Sequence, residues 1–158
     1  MINTATKALT APLNIEQFIP HDGDMSLLDE IIAERDNGIC AAVTIGEHSL
    51  FADQKGVPSW VGIEYMGQAI AAYAGLKARK KGEAVKIGFL VSCRRYIPNL
   101  SYFPLGARLE ISADAVTDGD TGLQIFECQI KGPEFNFCAN LNVFMPEDVE
   151  QFMQENMR

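Results

Sequence analysis

The stretch 58-PSWVGIEYMGQAIAAYAGLKARKKG-82 decides the fold. From residue 60 to about 81, apolar side chains fall at 60, 61, 63, 66, 69, 70, 73 and 76, which is the 3.6-residue period of a helix. Very little of its circumference is polar, so the helix belongs at the centre of the molecule. Pro58 and Ser59 suit its start, Ser59 as the N-cap. Lys77, Arg79, Lys80 and Lys81 complement the helix dipole in the last turns, and Gly82 can stop it. At ~1.5 Å per residue the rod is roughly 33 Å long.

On the N-terminal side, 25-MSLLDEIIAERDNGICAAVTIG-46 reads as two apolar runs about the turn dipeptide Asn37-Gly38, a hairpin signal. On the C-terminal side everything after Gly82 is strand-like: residues 84–97, 105–116, 122–130 and 135–145. The second run alternates Ala107, Leu109, Ile111, Ala113 and Ala115 with polar neighbours, and the last alternates Phe135, Phe137, Ala139, Leu141 and Val143. Period two is the mark of a half-buried strand. Thr117-Asp118-Gly119-Asp120 and Lys131-Gly132-Pro133-Glu134 supply turn chemistry between them. Residues 147–158 read as a short surface helix. Residues 1–12 are patternless and read as a mobile arm, followed by a helical turn at 15–18 that ends at Pro20. A single domain over 13–158 follows, an α+β fold in which an antiparallel sheet wraps one long helix.

The chain has 158 residues, 47% of them hydrophobic, enough for one core without metal or disulfide staples. A net charge of −8 excludes a general nucleic-acid binder, and any anionic ligand must be met by a local basic patch. Four cysteines without a C-x-x-C pair, and only two histidines, give a zinc site almost no support. Cys40, Cys128 and Cys138 sit in apolar strand-like stretches and read as buried thiols. The first residues lack the apolar run of a secretory signal and no uncharged run is long enough to span a bilayer, which makes the cytoplasm the expected location. A phosphate-binding glycine loop, a G-x-S-x-G elbow and a dinucleotide fingerprint are all missing.

Between residues 60 and 76, Glu64 is the only charged side chain. Its helical neighbours are Trp60, Val61, Gly67 and Gln68, none a cation. A carboxylate withdrawn from water without a cationic partner has its pKa pushed up and becomes a ready general acid. The lesser alternative is a narrow exposed strip or a pairing with a distant arginine. Gln68, one turn on, can hydrogen-bond the carboxyl. His21 and His48 are the remaining groups with an unperturbed pKa near neutrality, both in loops.

The order 19-IPHDGDMSLLD-29, a loop histidine, then 57-VPSWVGIEYMGQAIAAYAG-75 resembles the 3-hydroxyacyl-(acyl-carrier-protein) dehydratases of the hotdog fold. RRYIPNLSYFPLGARLEISADAV resembles that family's next strand pair, so the likeness runs over about residues 19–143. The spelling GVPSWVGIEYMGQAIAA is similar to a divergent branch associated with aryl polyene pigment gene clusters. The resemblance implies that Gly46-Glu47-His48 stands for the family's G-H loop, Pro58 for the helix-opening proline, Glu64 for the acid and Gln68 for the glutamine. His48 would take the α-proton of a 3-hydroxyacyl thioester, and Glu64 would protonate the departing hydroxyl. Backbone N–H groups at Ser59 and Trp60 would bind the thioester carbonyl, giving a trans-2-enoyl product. Two departures stand out: His48 is followed by Ser49-Leu50 with a longer loop to Pro58, and the family's glycine after that proline is Ser59. His21 is expected away from the helix carboxylate.

The resemblance also implies an acyl carrier protein as partner, a substrate held on phosphopantetheine, no cofactor or metal of the protein's own, and a homodimer with histidine and acid on opposite subunits. Lys86, Arg94 and Arg95, with the helix-end cations, are the expected carrier-docking residues. Glutamate rather than aspartate in the helix implies dehydration without isomerisation. The rival readings are a hotdog acyl thioesterase and a non-catalytic hotdog subunit paired with an active dehydratase.

Overall fold

The apolar segment forms the long helix α1, Gly62–Lys80, preceded by a 3₁₀ turn at Ser59–Val61. The computed structural model describes residues 6–85, 87–116 and 122–156. Ser59 is not an N-cap: Pro58 occupies the cap of the 3₁₀ turn, and no side chain caps either start. The Ser59 hydroxyl is not needed because the tight turn folds the chain directly into the α-helix, the Gly62 N–H donating to the Ser59 and Trp60 carbonyls.

Among the described residues nine strands accompany the helix: β1 (Thr6–Asn14), β2 (Glu30–Arg35), β3 (Gly38–Thr44), β4 (Val57–Pro58), β5 (Phe89–Arg94), β6 (Tyr102–Phe103), β7 (Arg108–Ala115), β8 (Leu123–Lys131) and β9 (Asn136–Phe144). Seven form one antiparallel sheet in the order β1-β2-β3-β7-β8-β9-β5; β4 and β6 pair separately. A short helix α2, Val149–Asn156, closes the chain, and its Phe152 packs on Phe89 and Phe144. This is the hotdog arrangement. Tyr65, Met66, Ala69, Ile70 and Ala72 of α1 are buried against Ile39 and Ala41 of β3, Leu109 and Ile111 of β7, and Phe126 and Ile130 of β8. Fully burying each large apolar side chain contributes roughly 1.5–3 kcal/mol. No helix among the described residues is long and apolar enough to cross a membrane.

Three sequence expectations change. Residues 6–12 are not a mobile arm: they belong to β1, which pairs with β2 from Thr6↔Arg35 to Asn14↔Glu30. The domain therefore starts before residue 13. The strand has almost no buried residues, so it carried no apolar pattern to read; backbone pairing to the edge of β2 forms it. Cys138 is exposed rather than buried, because on β9 the inward face is taken by Phe137, Ala139, Leu141 and Val143. Cys40 and Cys128 are buried as expected, and burial raises the Cys40 thiol to about 11. The strand expected over 84–97 shrinks to Phe89–Arg94. The 117–120 turn lies outside the described residues.

The segment between β1 and β2 is laid on one stripe of α1. Residues 64, 68, 75 and 79 follow one another at helical spacing along that stripe. At its C-terminal end the Arg79 guanidinium donates to the Gln17 carbonyl at 2.6 Å and sits over the Phe18 ring. One turn back, Gly75 lets the backbone of Phe18 come so close that a Cβ there would lie 1.7 Å from the Phe18 oxygen. Further back, Gln68 is fully buried; its Oε1 accepts from Leu27 N–H at 2.8 Å and its Nε2 donates to the Met25 carbonyl at 2.7 Å. Gly75→Ala should therefore destabilise the fold by about 1–3 kcal/mol, the usual cost of overpacking. In a domain of this size that lowers the thermal midpoint by roughly 2–4 °C per kcal/mol. A melting curve superimposable on the parent's would contradict this packing.

Candidate functional site

The clamped segment carries Pro20 and His21 to the start of α1. There His21 Nε2 lies 3.5 Å from Glu64 Oε1. Gln68 Nε2 donates to the same oxygen at 3.1 Å, as its one-turn spacing predicted. Glu64 is neither deeply buried nor unpartnered: its side chain is 47% exposed and His21's 28%. The expectation of a raised pKa is overturned. The His21 hydrogen bond leads in holding the Glu64 carboxyl below its ordinary value; burial opposes this, and the Gln68 hydrogen bond adds to the lowering. The surroundings of Glu64 thus favour its carboxylate form. The expectation that His21 stands away from the helix carboxylate is overturned for the same geometric reason: the clamp at 68, 75 and 79 fixes where residue 21 falls.

His21 and Glu64 sit at one end of a cavity of about 140 Å³. One wall is Gly67, Ile70, Ala71 and Ala74 of α1; the other is Gly88, Leu90, Val143 and Met145 around β5 and the end of β9. Small residues at 67, 71 and 74 leave the room, since each is a turn from the next on the helix face. A polar pair at the mouth of an apolar cavity is suited to moving a proton on the polar end of a ligand whose tail is hydrocarbon.

His48 is elsewhere. It is exposed and lines a separate cleft of about 560 Å³ with Asp24, Asp29, Glu47 and Tyr65. The structure does not bring His48 to Glu64 within one chain. Ser59 and Trp60 do not line the Glu64 cavity. The Ser59 N–H already donates to the Ser101 carbonyl at 2.9 Å, and the Ser59 carbonyl accepts from the Tyr96 hydroxyl, so Ser59 does not offer its N–H to a thioester. The Trp60 side chain is 57% exposed and packs on Phe51. Gln68 spends its amide on Met25, Leu27 and Glu64, which makes it a fixing residue and not a substrate contact. Arg94 and Arg95 are exposed at the end of β5, Arg95 with a left-handed φ of 63°. Lys86 lies outside the described residues. Of the helix-end cations, Lys80 pairs with Glu34 and Arg79 with the Gln17 carbonyl. Among the described residues no cluster of side chains could hold a metal ion.

What sequence reasoning missed was the pairing of His21 with Glu64. The signal was present in Pro20-His21 and in Gly75 and Gln68, but it required knowing that the loop before β2 lies on α1.

Comparison with known proteins bears on the same chain. A structure titled the dehydratase heterocomplex ApeI:P from Xenorhabdus doucetiae superposes with a TM-score of 0.79 at 25% identity, covering 91% of this chain and 98% of that one. A hypothetical thioesterase from Streptococcus pneumoniae, solved with coenzyme A, matches with a TM-score of 0.55 at 18% identity over 74% of this chain and 84% of its own. An uncharacterised protein from Pyrococcus horikoshii gives 0.57 at 15% over 88% and 97%. These two share the fold alone. No curated protein matches the sequence. The family described as ApeP-like, ApeP dehydratase, matches residues 13–154, and the chain belongs to that family.

Proposed function

We propose that this ApeP-like chain removes water from 3-hydroxyacyl thioesters carried on acyl carrier protein, giving trans-2-enoyl thioesters during assembly of an aryl polyene chain. The observation that carries the reading is Glu64, hydrogen-bonded by Gln68 and beside His21, at the polar mouth of an apolar cavity. Dehydration needs a group that takes an acidified α-proton and a group that returns a proton to the hydroxyl as it leaves. A cavity of about 140 Å³ is close to the size that admits a benzene ring, which suits an aryl or short polyene tail. Glu64→Gln keeps the shape and the Gln68 contact but cannot accept the proton. It should slow water loss at least ~10²-fold, read by mass spectrometry of the loaded carrier, with the fold intact by circular dichroism. Rapid water loss by Glu64→Gln would remove this site from the reaction.

A two-subunit assembly fits the open edge of the sheet. β5 is paired with β9 on one side only, and its Leu90 and Val91 are 47% and 60% exposed, with Ile97 beyond them at 78%. An apolar edge strand of this kind calls for a covering partner. A second hotdog subunit, another copy or a different chain, meets that need, and the ApeI:P heterocomplex favours the different chain. In that case the chain also serves the reading in which it completes a partner's dehydratase. Val91→Lys should convert the assembly to monomer in light scattering; an unchanged mass would place the interface elsewhere.

The acidic carrier would meet a chain that is itself at −8. Arg94 and Arg95, exposed beside the open edge, are the proposed docking cations. Reversing both charges should weaken carrier binding, and the difference from the parent should shrink as salt rises. Equal binding by parent and variant at low salt would exclude them.

A further inference from the structure

We infer that His21 is a positioning residue for the dehydration proposed above: through Nε2 it holds Glu64 in place as the base that takes the α-proton. This rests on the dehydratase reading of the cavity and adds the residue that resemblance left out.

The geometry has three parts. First, His21 and Glu64 line one cavity and are its only titratable lining residues among the described residues; the described walls from α1, β5 and β9 are apolar or glycine. Second, His21 Nδ1 is buried and takes no hydrogen bond among the described residues, while Nε2 lies 3.5 Å from Glu64 Oε1. A proton on the buried Nδ1 would have no acceptor, so the favoured neutral tautomer carries it on Nε2 and donates it toward the carboxylate. A 3.5 Å separation without substrate is of the kind that tightens when substrate is bound. Third, His21 and Gln68 converge on the same oxygen, Oε1. Among the described residues Oε2 accepts no hydrogen bond and is left for chemistry.

The step then balances on Glu64 alone. Oε2 takes the α-proton, the electron pair of that C–H bond forms the carbon–carbon double bond, and the β-carbon–oxygen bond breaks. The departing hydroxide takes the proton back from the Glu64 carboxyl and leaves as water, which restores the carboxylate. Through this cycle the His21 N–H stays on Oε1 and fixes the direction of Oε2. Gln68 does the same from the helix side. Asp29, Asp24 and Glu47, the acidic groups of the loop side, face the separate cleft with His48.

The test compares His21→Ala, His21→Gln and Glu64→Gln in the full-length chain with its subunit partner. A 3-hydroxyacyl-loaded carrier protein is the substrate, and rates are followed from about pH 4 to pH 9. His21→Ala should lower the rate at least ~10-fold and shift the acid limb of the profile to higher pH, because a base is active above its pKa and loss of the His21 hydrogen bond raises that pKa. His21→Gln places an N–H donor near the same point and should recover most of the rate and the limb. In the parent protein the Glu64 carboxyl, followed by carbon-13 resonance, should titrate below the ordinary glutamate value of 4.5. A rate and limb unchanged in His21→Ala, a His21→Gln as inactive as His21→Ala, or a Glu64 midpoint at or above 4.5 would each overturn the inference. Full activity in Glu64→Gln would instead overturn the dehydratase reading of this cavity.

Discussion

The structure depends on how the chain between β1 and β2 is fastened to α1. A helix apolar on nearly every face has few ways to bind a loop, because loops bring unpaired backbone groups that cannot be left buried. Gln68 solves this with a fully buried amide that satisfies one backbone donor and one backbone acceptor of residues 25–27 and still reaches Glu64. Replacing it with an apolar side chain would strand the Leu27 N–H and the Met25 carbonyl, at about 1–3 kcal/mol for each buried group. Arg79 and Gly75 do the same job at the other end of the stripe, one by a hydrogen bond and one by absence of a side chain.

That fastening is what turns a structural helix into a site. Glu64 by itself would be a half-exposed carboxylate on the first turn of α1. With residues 17–27 held down, His21 has one place to go, and its imidazole reaches the carboxylate while the other ring nitrogen is covered. The ionised state of Glu64 is linked to folding with a definite sign. A carboxyl whose folded pKa is depressed stabilises the native state above its unfolded pKa, and that contribution is lost as pH falls through the folded value. The group is too exposed for this to weigh much in overall stability, so the pairing is better understood as a constraint on charge and direction than as a staple.

The sequence made the architecture readable because its signals were periodic. The 3.6-residue pattern of α1, the alternation in β7 and β9 and the Asn37-Gly38 turn each report a face buried against the rest of the molecule, and each element formed within a few residues of its expected bounds. β1 was not readable because it buries almost nothing, and β4 and β6 because two residues are too few to show a period. Within the site, Glu64 and its Gln68 partner were readable from one helical turn of spacing. The pKa direction was not, since its cause comes from residue 21, 43 positions earlier by the difference of the two numbers.

The same limit explains why the sequence did not show that the Ser59 N–H is already engaged. Resemblance places a helix N-terminus beside the thioester, and free N–H groups are the rule at the start of a helix. Here the start is a 3₁₀ turn tied to another loop: Ser59 N–H is spent on Ser101, Ser59 carbonyl on Tyr96, and Pro58 is paired through β4 with Tyr102 of β6. These contacts lock the helix start to the 96–103 segment that follows β5. Of the two N–H groups that the resemblance offers to a thioester carbonyl, that of Ser59 is committed to Ser101. Among the described residues, the lining of the Glu64 cavity in one chain offers no polar side chain besides His21 and Glu64. For the proposed dehydration the donor would be the Trp60 N–H, a backbone N–H of the cavity wall or a group from a covering subunit, and the last source would make carbonyl activation, unlike the contact of His21 with Glu64, a property of the assembled complex.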